Sequence, residues 1–384
     1  MLDYSSRMSV ILFPGFIDMH VHLRGMDYSY KEDEYTGTLT ALLGGVSIVV
    51  DMPNTKPELR SPALVEEKLR RLRSLSVTGY GVYAGVPLGG VDPRELLSKP
   101  VIGVKVYPKD YYRVETLQAV REAATRGLIV VVHPEDPDTL PSYEYACSRS
   151  TRGLWCELAG VRYASRLRDS TGARVHVTHL SSGASVELAK KLKLTCDTAI
   201  HYLVMDENHA GADYCVYRVN PPLRGVTDRL SLLKLVAEGL VDAIVTDHAP
   251  HTLREKLGDP GTCPAGLTGL EAYARVLATL ARSGLISLYD LARLASLGPS
   301  RIIGVKPPLA RRGYPGYATV IDFSRSGRIT ITHTRSKTGY TVYNMFEYRG
   351  EPVAVIVAGK LAMHEGSIIA KPGYGENIVR WRTR

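Results

Sequence analysis

The chain has 384 residues, 45% of them hydrophobic and 23% charged, a balance that excludes disordered, collagen-like and low-complexity classes. A chain this long can bury a large core unaided, and its longest apolar runs, such as Val353–Val357, fall far short of the roughly 18 residues a membrane span needs. Basic residues outnumber acidic ones, 48 to 39, but the densest stretch, Glu66–Arg73, mixes both signs and reads as a solvated helix face with no nucleic-acid-binding pattern beside it.

A positive balance also suits an anionic small substrate. The first sixteen residues lack a basic region followed by a long apolar one, so the expected address is the cytoplasm. The five cysteines, Cys147, Cys156, Cys196, Cys215 and Cys263, contain no CxxC pair, and their odd number argues against a secreted disulfide framework. Cys147 and Cys156 are close enough in sequence for a local bridge. One glutamine and five asparagines hint at heat adaptation, which makes internal disulfides less improbable.

In chain order, eight short runs rich in β-branched residues are predicted as buried strands: Phe16–Leu23, Val46–Met52, Val77–Val86, Val101–Tyr107, Leu128–His133, Ala173–His179, Leu192–Ile200 and Asp242–Asp247. Segments of helical period lie between most of them: Tyr35–Leu43, Pro62–Leu72, Val114–Arg126, Leu154–Asp169, Ser185–Lys191 and Thr227–Glu238. This alternation predicts an α/β fold, a parallel (β/α)8 TIM-type barrel over residues 14–310. A Gly/Pro-containing loop, Thr252–Gly269, and two further helices, Leu270–Arg282 and Ser287–Ala295, follow. From Gly316 the alternating stretches YATVIDF, RITITHT, TVYNMFEY and EPVAVIVAG read as antiparallel strands. Residues 311–384 would join residues 1–13 in a small β-rich appended domain.

Polar residues of metal-binding type stand at the ends of those runs. His20 and His22, at i and i+2, point to one face of a strand. Lys105 lies between two valines in the fourth run. His133 and His179 close the fifth and sixth, His201 follows the seventh, and Asp247 closes the eighth. A single histidine at a strand end is ordinarily a hydrogen-bonded structural residue, and His176 reads that way. Five histidines and an aspartate at the C-terminal ends of barrel strands are where (β/α)8 enzymes place their catalytic groups. Imidazole and carboxylate without thiolate suit zinc, manganese or iron at a hydrolytic site. A lysine buried between valines is costly as an unpaired charge. Either a nearby carboxylate neutralises Lys105, or it loses its proton and captures carbon dioxide as a metal-bridging carbamate.

Taken together, GFIDMHVHLR (Gly15–Arg24), KED (Lys31–Asp33), MPNTKP (Met52–Pro57), GVKVYP (Gly103–Pro108), VNPPLR (Val219–Arg224) and TDHAPHT (Thr246–Thr252) resemble the dihydroorotase family of the amidohydrolase superfamily, in order and over nearly the whole barrel. The resemblance implies two zinc ions: His20, His22 and Asp247 on the more buried one, His133 and His179 on the second, and carbamylated Lys105 between them. It implies a zinc-bridging hydroxide, with Asp247 as general base and then acid, in the reversible cyclisation of N-carbamoyl-L-aspartate to L-dihydroorotate in pyrimidine biosynthesis. Arg24, Asn54 and His251 match the family's contacts to the substrate carboxylate; Asn220 and the backbone at Ala265 and Gly266 match contacts to the ring. Asn54 and Asn220, each beside a proline, also read as turn residues. His201 matches a family histidine without an assigned role.

This chain departs from the family pattern at Gly25-Met26-Asp27, where a Glu-Pro-Gly-like turn is usual, and at Lys105, where many bacterial relatives carry aspartate. The threonine of the mobile loop in carbamate-using relatives has no equivalent in Lys109–Arg113, where closure would fall to tyrosines. Members of the family sometimes work docked to aspartate carbamoyltransferase, which is the expected partner; a homodimer is the expected assembly, and the charge pattern and short apolar runs predict no nucleic-acid or membrane role. The competing readings are another cyclic-amide hydrolase of hydantoinase or allantoinase type, which generally lacks the arginine after the second histidine, and a non-catalytic scaffold, which typically has lost metal ligands.

Overall fold

The computed structural model describes residues 9–140, 152–211, 214–259, 261–309 and 311–383. Strand β1 (Val10–Pro14) leads directly into β2 (Phe16–Val21). The strands β3 (Val46–Asp51), β4 (Gly79–Gly85), β5 (Gly103–Val106), β6 (Ile129–Val132), β7 (Arg174–Val177), β8 (Thr195–Ala199) and β9 (Ala243–Val245) follow. β2 to β9 pair in sequence order as one eight-stranded parallel sheet. The ring closes where the His22 amide donates to the His248 carbonyl at 2.8 Å and Val21 bridges His248 in parallel. The eight expected strands are all present, each shorter than its apolar run.

Runs such as VSIVVD and IVVV are buried along their whole length because helices cover the outer face while side chains fill the barrel. The helices start where capping residues stand. Asp33 accepts from the Tyr35 and Thr36 amides, Ser61 precedes Pro62, and Ser182 accepts from Ser185. Glu66, Arg70 and Arg73 do form a solvated face of the helix Pro62–Leu75, but Lys68 departs from that expectation. Its side chain is fully buried, because it holds Glu34 at 2.8 Å and Asp51 at 2.7 Å and donates to the Arg24 carbonyl.

A second sheet is antiparallel, in the order β1, β10 (Ala318–Arg328), β11 (Glu347–Val357), β12 (Lys360–His364) and β13 (Ser367–Ile368). Both ends of the chain therefore contribute to it. Two stretches expected as strands are something else. Within RITITHT only Arg328 is in a strand, and Ile331–His333 make a 3-10 turn closed by His333 against Thr330. In TVYNMFEY only the last two residues are extended, since Thr341, Tyr343 and Val342 are drawn into buried turns where Thr341 donates to Glu271. Alternation of apolar residues reported burial there and not pairing.

The disulfide is also elsewhere than the local one considered. Cys215 and Cys263 are bonded, with a sequence separation of 48. Cys147 lies outside the described residues, and with it the Cys147–Cys156 pairing. Among the described residues no helix is long and apolar enough to cross a membrane.

Candidate active site

The C-terminal ends of β2 to β9 open into a cavity of about 400 Å³. His20 is on β2 and His22 one residue past it, His133 one past β6, and His179 and Asp247 two past β7 and β9. All five line the cavity. The strand ends turn sharply there: Arg24, His179 and Asp247 hold φ of 54°, 45° and 49°, left-handed values uncommon outside glycine. Such conformations persist where the surrounding structure enforces them.

Three ligand-type groups converge on one point. His20 Nε2 lies 3.3 Å and His22 Nε2 3.2 Å from the same Asp247 Oδ1. Each ring is oriented from behind. His22 Nδ1 donates to Asn54 Oδ1 at 2.5 Å; His20 Nδ1 is 2.6 Å from Thr178 Oγ1, which itself donates to Asp197. With Nδ1 engaged as donor, each Nε2 presents a lone pair to the cavity, the arrangement of metal-binding histidines. Burial, helped by Lys105 and the neighbouring imidazoles, holds His20 well below the usual histidine range; burial also lowers His22.

A second group stands beside the first. The rings of His179 and His20 are 5.0 Å apart and those of His179 and His133 4.6 Å. His133 Nε2 is 2.8 Å from Glu135, which also pairs with Arg152. Lys105, on β5, is fully buried beneath the cavity, and its Nζ has no hydrogen-bond partner. Burial outweighs Asp247 and Asp197 and brings its ammonium down to about 7. Asp247 and Asp197 are the carboxylates that act on it, and neither is hydrogen-bonded to its Nζ. Neutral imidazoles, a carboxylate and an amine without partner around one cavity fit a metal centre and do not fit a purely structural network.

The expected substrate residues line the same cavity: Arg24, Asn54, Asn220, His251, Ala265 and Gly266. Gly266 is required as glycine, because at its φ of 146° a Cβ would lie 2.4 Å from the Ala249 carbonyl oxygen. Gly25 and Met26 form the atypical turn, both with positive φ. His201 is not part of the lining; it is buried against Tyr202, and burial lowers it to about 4. His176 serves orientation as expected, with Nε2 2.8 Å from Asp197. In the Lys109–Arg113 loop the two tyrosines are not part of the lining: Tyr111 stacks on Tyr163 and Tyr112 donates to Asp136, while Lys109 lines the cavity and pairs with Glu58.

Sequence reading overlooked the carboxylates behind the histidines. Asp197, on β8, takes hydrogen bonds from Thr178, His176 and the His179 amide. Asp18, on β2, takes them from Thr246 and the His20 amide while burial pushes it up to about 7. For Asp18 the available signal was a carboxylate inside an apolar strand two residues before His20; for Asp197 it was a carboxylate in the middle of a buried strand. Lys31 and Tyr107, both lining the cavity, were overlooked as well.

A model of the amidohydrolase family matches residues 11–362. The chain belongs to the amidohydrolase family. Among similar proteins, the dihydroorotase of Aeropyrum pernix is 39% identical over 369 residues, covering 94% of this chain and 85% of that one. The dihydroorotase of Sulfolobus acidocaldarius is 34% identical over 370 residues, with 96% and 88% covered. That of Mycobacterium leprae is 30% identical over 383 residues, with 94% and 89% covered. Among solved structures, the L-hydantoinase of Arthrobacter aurescens superposes with a TM-score of 0.89 at 22% identity, covering 96% of this chain and 88% of that one, which shows the shared fold. As an amidohydrolase the chain is a metal-dependent hydrolase, and its His20, His22 and Asp247 cluster is a place for a metal.

Proposed function

We propose that this amidohydrolase is a dihydroorotase, closing N-carbamoyl-L-aspartate to L-dihydroorotate and reopening it, with two zinc ions held by His20, His22, His133, His179, Asp247 and a carbamylated Lys105. The observation that carries the reading is the paired character of the cavity: five ligand-type side chains line it with Lys105 buried beneath them, and at the same mouth the Arg24 guanidinium lies 3.0 Å from His251 Nε2. Names carried by the relatives support it.

When bound, the cations supply a water acidic enough to be a nucleophile at neutral pH and polarise the ring amide carbonyl. The chain's own residues do the rest. Arg24 and His251 grip the ring carboxylate, and Arg24 is fixed by its Nε donating to the Pro250 carbonyl at 3.2 Å. Asn54 spends its carbonyl oxygen on His22, which leaves its amide N–H2 for the same carboxylate. Asn220 and the backbone at Ala265 and Gly266 border the ring. Among the described residues two carboxylates line the cavity, and Glu58 is occupied by Arg60 and Lys109 at the mouth. Asp247 is thus the group that takes the proton from water as the C–O bond forms. It returns that proton to the ring nitrogen as the C–N bond breaks.

Arg24 favours a carboxylated ring over the neutral rings of hydantoin-type substrates. The same reading takes the cytoplasm as the site of action, an aspartate carbamoyltransferase as supplier of the biosynthetic substrate, and a homodimer as the assembly. The test is ultraviolet detection of interconversion between L-dihydroorotate and N-carbamoyl-L-aspartate by zinc- and bicarbonate-treated protein. Interconversion that stops with a chelator and returns with zinc is expected. Fully metallated protein inert in both directions, alone and with the carbamoyltransferase, contradicts the reading.

A further inference from the structure

His251 is placed between two cations. Its Nε2 faces Arg24 Nη2 at 3.0 Å and its Nδ1 faces Lys31 Nζ at 3.1 Å. Guanidinium and ammonium groups only donate hydrogen bonds, whereas a neutral imidazole carries one N–H and one lone pair. Burial, together with Arg24 and Lys31, holds His251 well below the usual histidine range, so its ring is neutral. One of its two nitrogens must then point an N–H at a donor.

The surroundings decide which. Burial lowers Lys31, opposed by its pairing with Glu255 Oε1 at 2.8 Å; its Nζ also lies over the face of Tyr28, 4.7 Å from the ring centroid. Glu255 is fixed in turn. Its Oε1 also accepts from Tyr30, and its Oε2 accepts from the Thr252 amide and hydroxyl at 2.9 and 3.0 Å, closing the cap of the short helix Leu253–Lys256. Glu255 Oε2 stands 3.8 Å from His251 Nδ1, beyond hydrogen-bond reach, so the carboxylate does not take an Nδ1 proton. An anionic oxygen entering the cavity could take a hydrogen bond from Nε2, whereas nothing within reach among the described residues could take one from Nδ1; the arrangement therefore favours the lone pair on Nδ1, toward Lys31, and the proton on Nε2, toward Arg24. Two N–H donors, Arg24 Nη2 and His251 Nε2, then meet with no acceptor between them, a geometry completed by an anionic oxygen.

We infer that Lys31 is a positioning residue that fixes the tautomer of His251, so that His251 and Arg24 together present two N–H donors to one carboxylate oxygen of the substrate. The inference rests on the proposal that this mouth of the cavity binds a ring carboxylate. Lys31 need not touch the substrate itself; its ammonium acts through the imidazole.

The first measurement needs no substrate. In zinc-loaded protein with ¹⁵N-labelled histidine, the His251 signals, identified by their loss in His251→Gln, are expected to show a protonated Nε2 and a bare Nδ1. In Lys31→Met the two tautomers are expected to mix or invert, and Lys31→Arg should retain the native one. The second measurement is kinetic. Lys31→Met should raise KM for L-dihydroorotate about 10- to 100-fold, the loss of one charge-assisted hydrogen bond, with a smaller change in kcat, and Lys31→Arg should recover much of it. A protonated Nδ1 in the unaltered protein, a tautomer indifferent to Lys31→Met, or an unchanged KM overturns the inference. If the tautomer depends on Lys31 but no dihydroorotate is turned over, the substrate assignment has failed and the positioning role has not.

Discussion

In the proposed chemistry Lys105 is the pivotal residue. It is fully buried, without a hydrogen-bond partner, and burial brings it down to about 7, a shift toward the free amine that the proposed carbamate requires. In the proposed centre an ammonium there would repel the metals, whereas a carbamate would attract them. Protein treated with ¹³C-bicarbonate and zinc should show a carbamate carbon signal that is absent from Lys105→Ala. The same variant should lose activity about a thousandfold, several kcal/mol of transition-state stabilisation, and regain part of it with a short carboxylic acid that fills the vacated space. Lys105→Ala with full activity and full metal content would remove the carbamate from the account.

The barrel strands, as elements, place these residues, and here sequence and structure can be compared. The histidines and Asp247 were legible because each ends a run of β-branched residues, and strand ends share one rim of a parallel barrel. Their left-handed turns were not legible, since nothing in HVHLR or TDHAP marks a non-glycine residue at positive φ. Nor was the antiparallel sheet fully readable: RITITHT alternates as a strand does, yet Ile331–His333 close locally as a 3-10 turn through Thr330 and His333. β8 carries the clearest omission. Asp197 joins Thr178, His176 and the His179 amide, and through Thr178 it orients His20. Asp197→Asn keeps the shape but weakens these acceptors, and zinc affinity should fall about 10- to 100-fold in a competition titration with a chelator, the usual effect of removing a partner behind a metal-bound histidine. Unchanged affinity would leave Asp197 a packing residue.

Across the whole molecule, two loops that complete the cavity are tied together away from it. Cys215 is bonded to Cys263, Arg218 donates to the Cys263 carbonyl, and the Arg218 carbonyl accepts from the Gly266 amide at 2.9 Å and from Lys256 at 3.1 Å. The loop bearing Asn220 is thereby held against the loop bearing Ala265 and Gly266. Closing a loop of 48 residues restricts the unfolded chain by about 4 kcal/mol. The double variant Cys215→Ser/Cys263→Ser should therefore melt several degrees lower under non-reducing conditions; an identical Tm would mean the bond contributes nothing. The central claim is that a metal-dependent amide-opening floor and a carboxylate fork share one cavity. The most direct measurement is the ratio of kcat/KM for L-dihydroorotate to that for 5,6-dihydrouracil, the same ring without its carboxylate, on one preparation of zinc- and bicarbonate-treated protein. A buried site built to pair with a charged group should prefer the carboxylated ring by about 10⁴-fold, and Arg24→Ala should erase most of that preference. Equal efficiency on the two rings, or a preference for the neutral one, would contradict the account.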